Sequence, residues 1–226
     1  MSQKRQTLID DLVGDLKPVK RPGRVGAGAA VWLAIASVYS IVIVIATGPL
    51  RPGAVANLIA IPTFGIETAV AVLAICATAF AALRSAVPGA HGPVHALSGA
   101  LVPLVVWAAI YVVGLWYPAH PVSTLGARSH CIWQVVLYSL PTLGLMLYMA
   151  RRQFPLWPRT TAALAGAAAA AIPGALMQIG CMYVPSHILS HHLTPILITA
   201  AIGALVGPFV LRKRAAVGRR PDMSIH

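Results

Sequence analysis

The sequence predicts an all-α, polytopic membrane protein: a bundle of six transmembrane helices preceded by a short amphipathic helix on the cytoplasmic side. Three observations predict it. Apolar runs of helix-spanning length fall at about 26–47, 58–83, 96–116, 132–149, 161–179 and 194–211. The 226 residues are 58% hydrophobic and only 10% charged. All of the 17 Lys and Arg except Arg51 and Arg128 fall in the N-terminal tail, the second and fourth loops, or the C-terminal tail. A helix needs roughly 20 mostly apolar residues to cross a hydrocarbon core about 30 Å thick. Barrel strands would alternate in polarity, and these runs do not.

Cytoplasmic loops retain Lys and Arg, so the cation asymmetry predicts both termini inside and the first, third and fifth loops outside. The net charge of +12 could suggest a nucleic-acid binder. Here the cations flank spans, where anionic inner-leaflet lipid accounts for them, so direct nucleic-acid binding is rejected. Three segments follow: 1–25 as a binding segment with a basic tether, 26–211 as the membrane domain, and 212–226 as a basic tail. The first apolar run follows a polar tail and lacks a small-residue cleavage signature, so it reads as a span and not a signal peptide.

Taken in order, the tail opens with a candidate helix from Thr7 to Leu16. Leu8, Ile9, Leu12, Val13 and Leu16 share one helical face, and Asp10, Asp11, Gly14 and Asp15 the other. Thr7 is the expected N-cap, the aspartates suit the positive helix end, and Pro18 stops the helix. Helices that lie on membranes usually carry Lys or Arg on the polar face. Three aspartates instead point to a protein groove with a basic rim, the leucine face serving as anchor.

The second span is overlong and holds Pro62 and Glu67, the sole acidic residue in any span. An intramembrane acid is a functional candidate by default. With no basic partner in another span, Glu67 reads as a protonated or hydrogen-bonded structural residue, paired with Gln178 or a hydroxyl. The third span ends in the interfacial Trp116-Tyr117-Pro118. The fifth carries the small-residue run 162–171, which predicts an interior position because small residues let helices approach closely.

Three cysteines cannot all pair within one chain. Cys76, mid-span, reads as a small buried hydrophobe. Cys131 precedes the fourth span and Cys181 follows the fifth, so both sit at the outer face, where they can form a disulfide or share a metal. Five of the eight histidines share that face: His120, His130, His187, His191 and His192. Of these, His130 adjoins Cys131, and His187 and His191 have the spacing of one helical face. With Met182, this is a donor set for copper, zinc or another soft heavy-metal ion. His191 and His192 read equally well as polar rim residues.

These pieces resemble a family. The segment Leu8-Ile-Asp-Asp-Leu-Val-Gly-Asp-Leu-Lys-Pro-Val-Lys-Arg21, the six spans, and cysteines before the fourth and after the fifth span resemble the bacterial negative regulator of sigma F (NrsF-like) membrane anti-sigma factors. The resemblance implies a protein of the bacterial inner membrane that holds an extracytoplasmic-function sigma factor inactive and is not an enzyme. It implies sensing of redox or heavy-metal stress through Cys131 and Cys181, and sigma binding by Leu8, Ile9, Asp10, Asp11, Leu12, Asp15 and Leu16. Two other classes compete. A membrane thiol oxidoreductase would use the cysteine pair, although the chain has no C-x-x-C. A metal or small-solute transporter would place several polar groups at the midplane, where only Glu67 and a few amides qualify.

Overall fold

The computed structural model describes residues 3–14, 24–48, 50–90, 92–118 and 120–211; the side chains of Lys4, Leu8 and Leu12 lie outside that description. Among these residues the chain forms eight helices: α1 Gln3–Gly14, α2 Val25–Ala46, α3 Ala54–Ala60, α4 Pro62–Ser85, α5 Pro93–Val113, α6 Cys131–Arg151, α7 Pro158–Gly180 and α8 Pro185–Leu211. Six of them, α2 and α4 to α8, are apolar and 21 to 27 residues long, enough to cross a bilayer. They run alternately up and down. Arg24, Arg84, Arg151, Arg152 and Arg159 consequently gather at one end of the bundle, and Arg51 and Arg128 at the other.

The predicted second span divides in two. Its first part is the separate short helix α3, and the chain is extended at Ile61 (φ −112°, ψ 100°) before α4 begins at Pro62. Proline disfavours the helical conformation of the residue before it, which sets the break. The N-terminal helix starts earlier than its sequence pattern suggests. Thr7 is not its cap; it lies inside α1 and its hydroxyl donates to the Gln3 carbonyl at 3.0 Å. Asp15 and Leu16 lie outside the described residues, as does the tail 212–226.

The interior is built around α7, which packs against α4, α6 and α8. From Thr161 to Ala175 every residue except Ala163 is buried, so the small-residue run is interior as its composition predicts. Tails of lipid are as apolar as leucine, so close van der Waals packing and interhelical hydrogen bonds must hold such helices together. The α7–α8 crossing supplies the packing. A methyl group at Gly166 would collide with the Thr199 carbonyl, and one at Gly203 with the Ala162 carbonyl. Hydrogen bonds bind the others: Ser85 Oγ donates to Thr161 Oγ1 at 3.0 Å, and Trp32 Nε1 to the Thr142 carbonyl at 3.0 Å.

Cys76 departs from expectation. It is exposed on the flank of α4, because the buried face of that helix is formed by Ala71, Ala74, Ile75, Thr78, Ala79 and Ala82. A sulfhydryl on a lipid-facing flank needs no polar partner, so the composition of its neighbours does not reveal which way it points.

The α7–α8 crossing should be the least tolerant point of the bundle. Gly203→Leu is expected to destabilise at or beyond the top of the ~1–3 kcal/mol usual for overpacking, since backbone and not a flexible side chain is in the way. Thermal unfolding in detergent, followed by tryptophan fluorescence, measures it. A Gly144→Leu control, at an exposed position where an added β-carbon meets nothing within 4 Å, should change little.

Candidate functional site

Cys131 is the first residue of α6, and Cys181 immediately follows α7. Both are wholly buried free thiols with their sulfurs 3.5 Å apart. Cys131 also donates to the Arg128 carbonyl at 3.4 Å, and Cys181 lies 3.6 Å from His187 Nε2. His192 completes the group: one ligand atom from each of Cys131, Cys181, His187 and His192 falls within 4.8 Å of all the others. His192 is fully buried, yet neither of its ring nitrogens has a hydrogen-bond partner among the described residues. A buried polar group is normally paired, and an orphaned one calls for an explanation. Two sulfurs and two imidazoles converging on one point, without a carboxylate, form a donor set suited to borderline and soft metals.

The local fold explains how His192 enters. On a regular helix it would sit roughly 140° around from His187, at about 100° per residue. Residues Ile188–Leu193 instead form a π-helical turn, in which each residue turns through a smaller angle. His187 and His192 then meet edge to face with ring centroids 5.0 Å apart, while His191 stacks on His187 at 4.2 Å. The backbone of His192 lies directly over α7, where only Gly174 leaves room: a methyl there would fall 2.8 Å from the His192 carbonyl oxygen.

Not all the expected donors take part. His130 is exposed at the start of α6 and His191 is half-buried behind His187, and neither belongs to the four-atom group; Met182, next to Cys181, is half-buried. The equal expectation that His192 is a polar rim residue is corrected by its complete burial. The side-chain contact with Cys131 holds the Cys181 thiol below the ordinary thiol range, with the His187 and His192 rings acting in the same direction and burial against them. One member of the pair is therefore the readier thiolate, and a thiolate is the form that binds metals or attacks oxidants.

The segment after Cys181 is pinned firmly. Tyr183 pairs with Ser123 through an isolated antiparallel bridge, stacks on His120 at 3.7 Å, and donates its hydroxyl to Glu67 Oε1 at 2.9 Å. Tyr111 donates to Glu67 Oε2 at 3.0 Å. Of the two partners suggested for Glu67, the hydroxyl is the one found; Gln178 accepts from Trp107 Nε1 instead. Arg51, also buried, faces the Phe64 ring at 5.5 Å, and its backbone amide donates to the Gly180 carbonyl at 2.8 Å. His120 is held below the ordinary imidazole range by burial first and by the nearby Arg51 charge second.

The family model described as negative regulator of sigma F (NrsF) matches residues 12–212. The chain belongs to this family. Comparison with curated proteins found no match, and comparison with solved structures found none either. Membership in NrsF makes negative regulation of a sigma factor the frame for the rest of the molecule. At the N-terminus, α1 packs against no other element among the described residues, and Ile9, Asp10, Asp11 and Val13 are exposed on it. The side chains of Leu8 and Leu12 lie outside the described residues.

Glu67 anchors two buried phenols, and its loss should be felt at the cysteines. Glu67→Ala is expected to cost about 2–6 kcal/mol, because both hydroxyls lose their acceptor at roughly 1–3 kcal/mol each. Glu67→Gln, which keeps an acceptor, should cost less. Thermal unfolding ranks the two variants, and alkylation of Cys181 should quicken in the alanine variant.

Proposed function

We propose that this protein is an integral inner-membrane anti-sigma factor that sequesters an extracytoplasmic-function sigma factor and releases it when Cys131 and Cys181 react with an oxidant or a soft metal ion. Both termini are cytoplasmic, and the cysteine end of the bundle faces outward. The reading rests above all on one observation: two thiols 3.5 Å apart in a buried group that also contains His187 and His192.

In the resting state the apolar face of α1 docks on the sigma factor and blocks its access to RNA polymerase. Leu8, Ile9, Leu12 and Leu16 are the anchors; Asp10, Asp11 and Asp15 orient the helix against a basic rim. A twelve-residue helix is marginal alone in water, and a partner's groove would supply the missing burial. The cationic tether holds the helix near the anionic leaflet.

Two chemical events could trigger release, and they ask different movements of the site. Disulfide formation removes two electrons, accepted by a two-electron oxidant, and two protons, and must bring the sulfurs to about 2.05 Å, a closure of about 1.5 Å. A tetrahedral metal with bonds of about 2.3 Å to sulfur separates two thiolates by roughly 3.8 Å. The resting sulfur separation is close to that, which supports a metal as the triggering ligand. Cys131, Cys181, His187 and His192 would hold zinc, copper or a similar ion, with loss of the thiol protons. Such a ligand shifts the protein between states only by its differential affinity for them.

Three outcomes are expected. Cobalt(II) titration of the reduced, purified protein should give tetrahedral and thiolate charge-transfer bands at one equivalent, lost in Cys181→Ser and weakened at least tenfold in His192→Ala. Serine at either cysteine should leave sequestration intact and abolish the response to metal or oxidant in a sigma-dependent reporter strain; a normal response in the double variant would refute the sensor. Leu12→Asp should release the sigma factor constitutively, and unchanged co-purification of the two proteins would contradict docking through α1.

A further inference from the structure

We infer that Arg128 is a positioning residue that couples the cysteine site to α2, and through α2 to the N-terminal segment. The inference rests on the proposed function and supplies what it lacks, a physical route from one end of the bundle to the other. Helix α2 is placed for this. Its last turn is gripped from the cysteine side by Arg128 and Tyr138, and α2 is the element that follows α1 in the chain.

Two contacts meet in Arg128. Its backbone carbonyl accepts the hydrogen bond from the Cys131 thiol at 3.4 Å. Its guanidinium spans to the end of α2, donating to the Gly48 carbonyl at 2.8 Å and to the Val44 carbonyl at 3.4 Å from both terminal nitrogens. The last carbonyls of a helix have no partner within it, and a cation there also complements the negative end of the helix dipole. The fit has no slack. A methyl group at Gly48 would lie 3.1 to 3.3 Å from three guanidinium atoms, so Gly48 is a seat for Arg128 as well as an acceptor.

When Cys131 loses its thiol proton, released to water as a metal binds or taken up with the electrons by an oxidant as a disulfide forms, it can no longer donate to the Arg128 carbonyl. A sulfur left with only lone pairs then faces a carbonyl oxygen, and the two repel. Between Arg128 and Cys131 lie only Ser129 and His130, in a turn, so the displacement passes along two residues to the guanidinium. Helix α2 is among the less buried spans of the bundle. Its buried side chains are Ala29, Trp32, Ala36, Ser40 and Val44; Val25, Leu33 and Ile43 are half-buried against the core, and about half of the helix is exposed. It has nothing like the interlocked glycines of α7 and α8. Tyr138 holds the same end through Thr47 at 2.8 Å, which gives α6, the helix begun by Cys131, a second grip.

Hydrogen exchange on the full-length protein in lipid discs, with zinc as probe, tests this. Zinc should change exchange of the Val44–Gly48 amides at least threefold in the parent. In Arg128→Gln that change should vanish although zinc still protects both thiols from alkylation, and Arg128→Lys should restore it. Unchanged exchange in the zinc-bound parent overturns the inference, as does an Arg128→Gln variant that responds like the parent. Should Arg128→Gln fail to fold, the parent measurement alone decides. Should zinc fail to protect the thiols, the metal reading is what has failed. The same exchange is then read on the disulfide made with diamide, which takes up the two electrons and two protons. Change at Val44–Gly48 in the disulfide form supports coupling, and its absence overturns it.

Discussion

Helices in hydrocarbon gain nothing from hiding apolar side chains from one another, because lipid receives those side chains equally well. What holds them together is close approach of backbones, and in this bundle the approach is concentrated where α7 meets α8. Gly166 and Gly203 present bare α-carbons to carbonyls of the opposite helix. That crossing fixes the angle between the two helices, and the angle in turn fixes where Cys181, just past α7, lies relative to His187 and His192 in α8. Cys131 enters from a third direction at the start of α6. The four-atom group is thus a consequence of helix packing more than of any local motif, which is why its members lie far apart in the chain in no recognisable spacing.

The bundle divides into a rigid part and a yielding part. α4, α6, α7 and α8 share buried small residues and interhelical hydrogen bonds such as Ser85 to Thr161 and Ser139 to Thr199. α2 and α5 turn most of their surface outward, each tied to the rest through a few buried side chains: Trp32 to Thr142, Trp107 to Gln178 and Tyr111 to Glu67. The proposed sensor needs both: stiffness where ligand atoms must be held in register, and an element of low cost to displace where the signal leaves. The connection of α2 to the N-terminal segment places the yielding element on the side of the chain that carries α1.

Six spans, the burial of the fifth, and the shared depth of Cys131 and Cys181 are legible in the sequence. They follow from apolar run lengths, the Ala162–Ala171 composition and residue position, all of which act through short-range physics. Span ends are harder to read. Pro62 signals the break at Ile61, but the continuous apolar run hides it. His192 is the main loss, since period-3.6 reasoning puts it on a different face from His187 and cannot anticipate a π turn. Cys76 misleads in the opposite way: in a membrane an apolar or weakly polar side chain tells nothing about which side of a helix is inside. Arg128 looks like a stray loop cation in the sequence, and its grip on the end of α2 depends on tertiary approach across eighty residues.

The π turn has a consequence for how this end of the chain can evolve. It accommodates one surplus residue between Pro185 and Thr194, so the angular position of the histidines is set separately from that of Gly203 and Gly207 farther along. A change that regularised the turn would swing one group against the other by about a quarter of a revolution or more. Ligand geometry and helix seam thus sit on opposite sides of a swivel, and each can be tuned by substitution without dragging the other along.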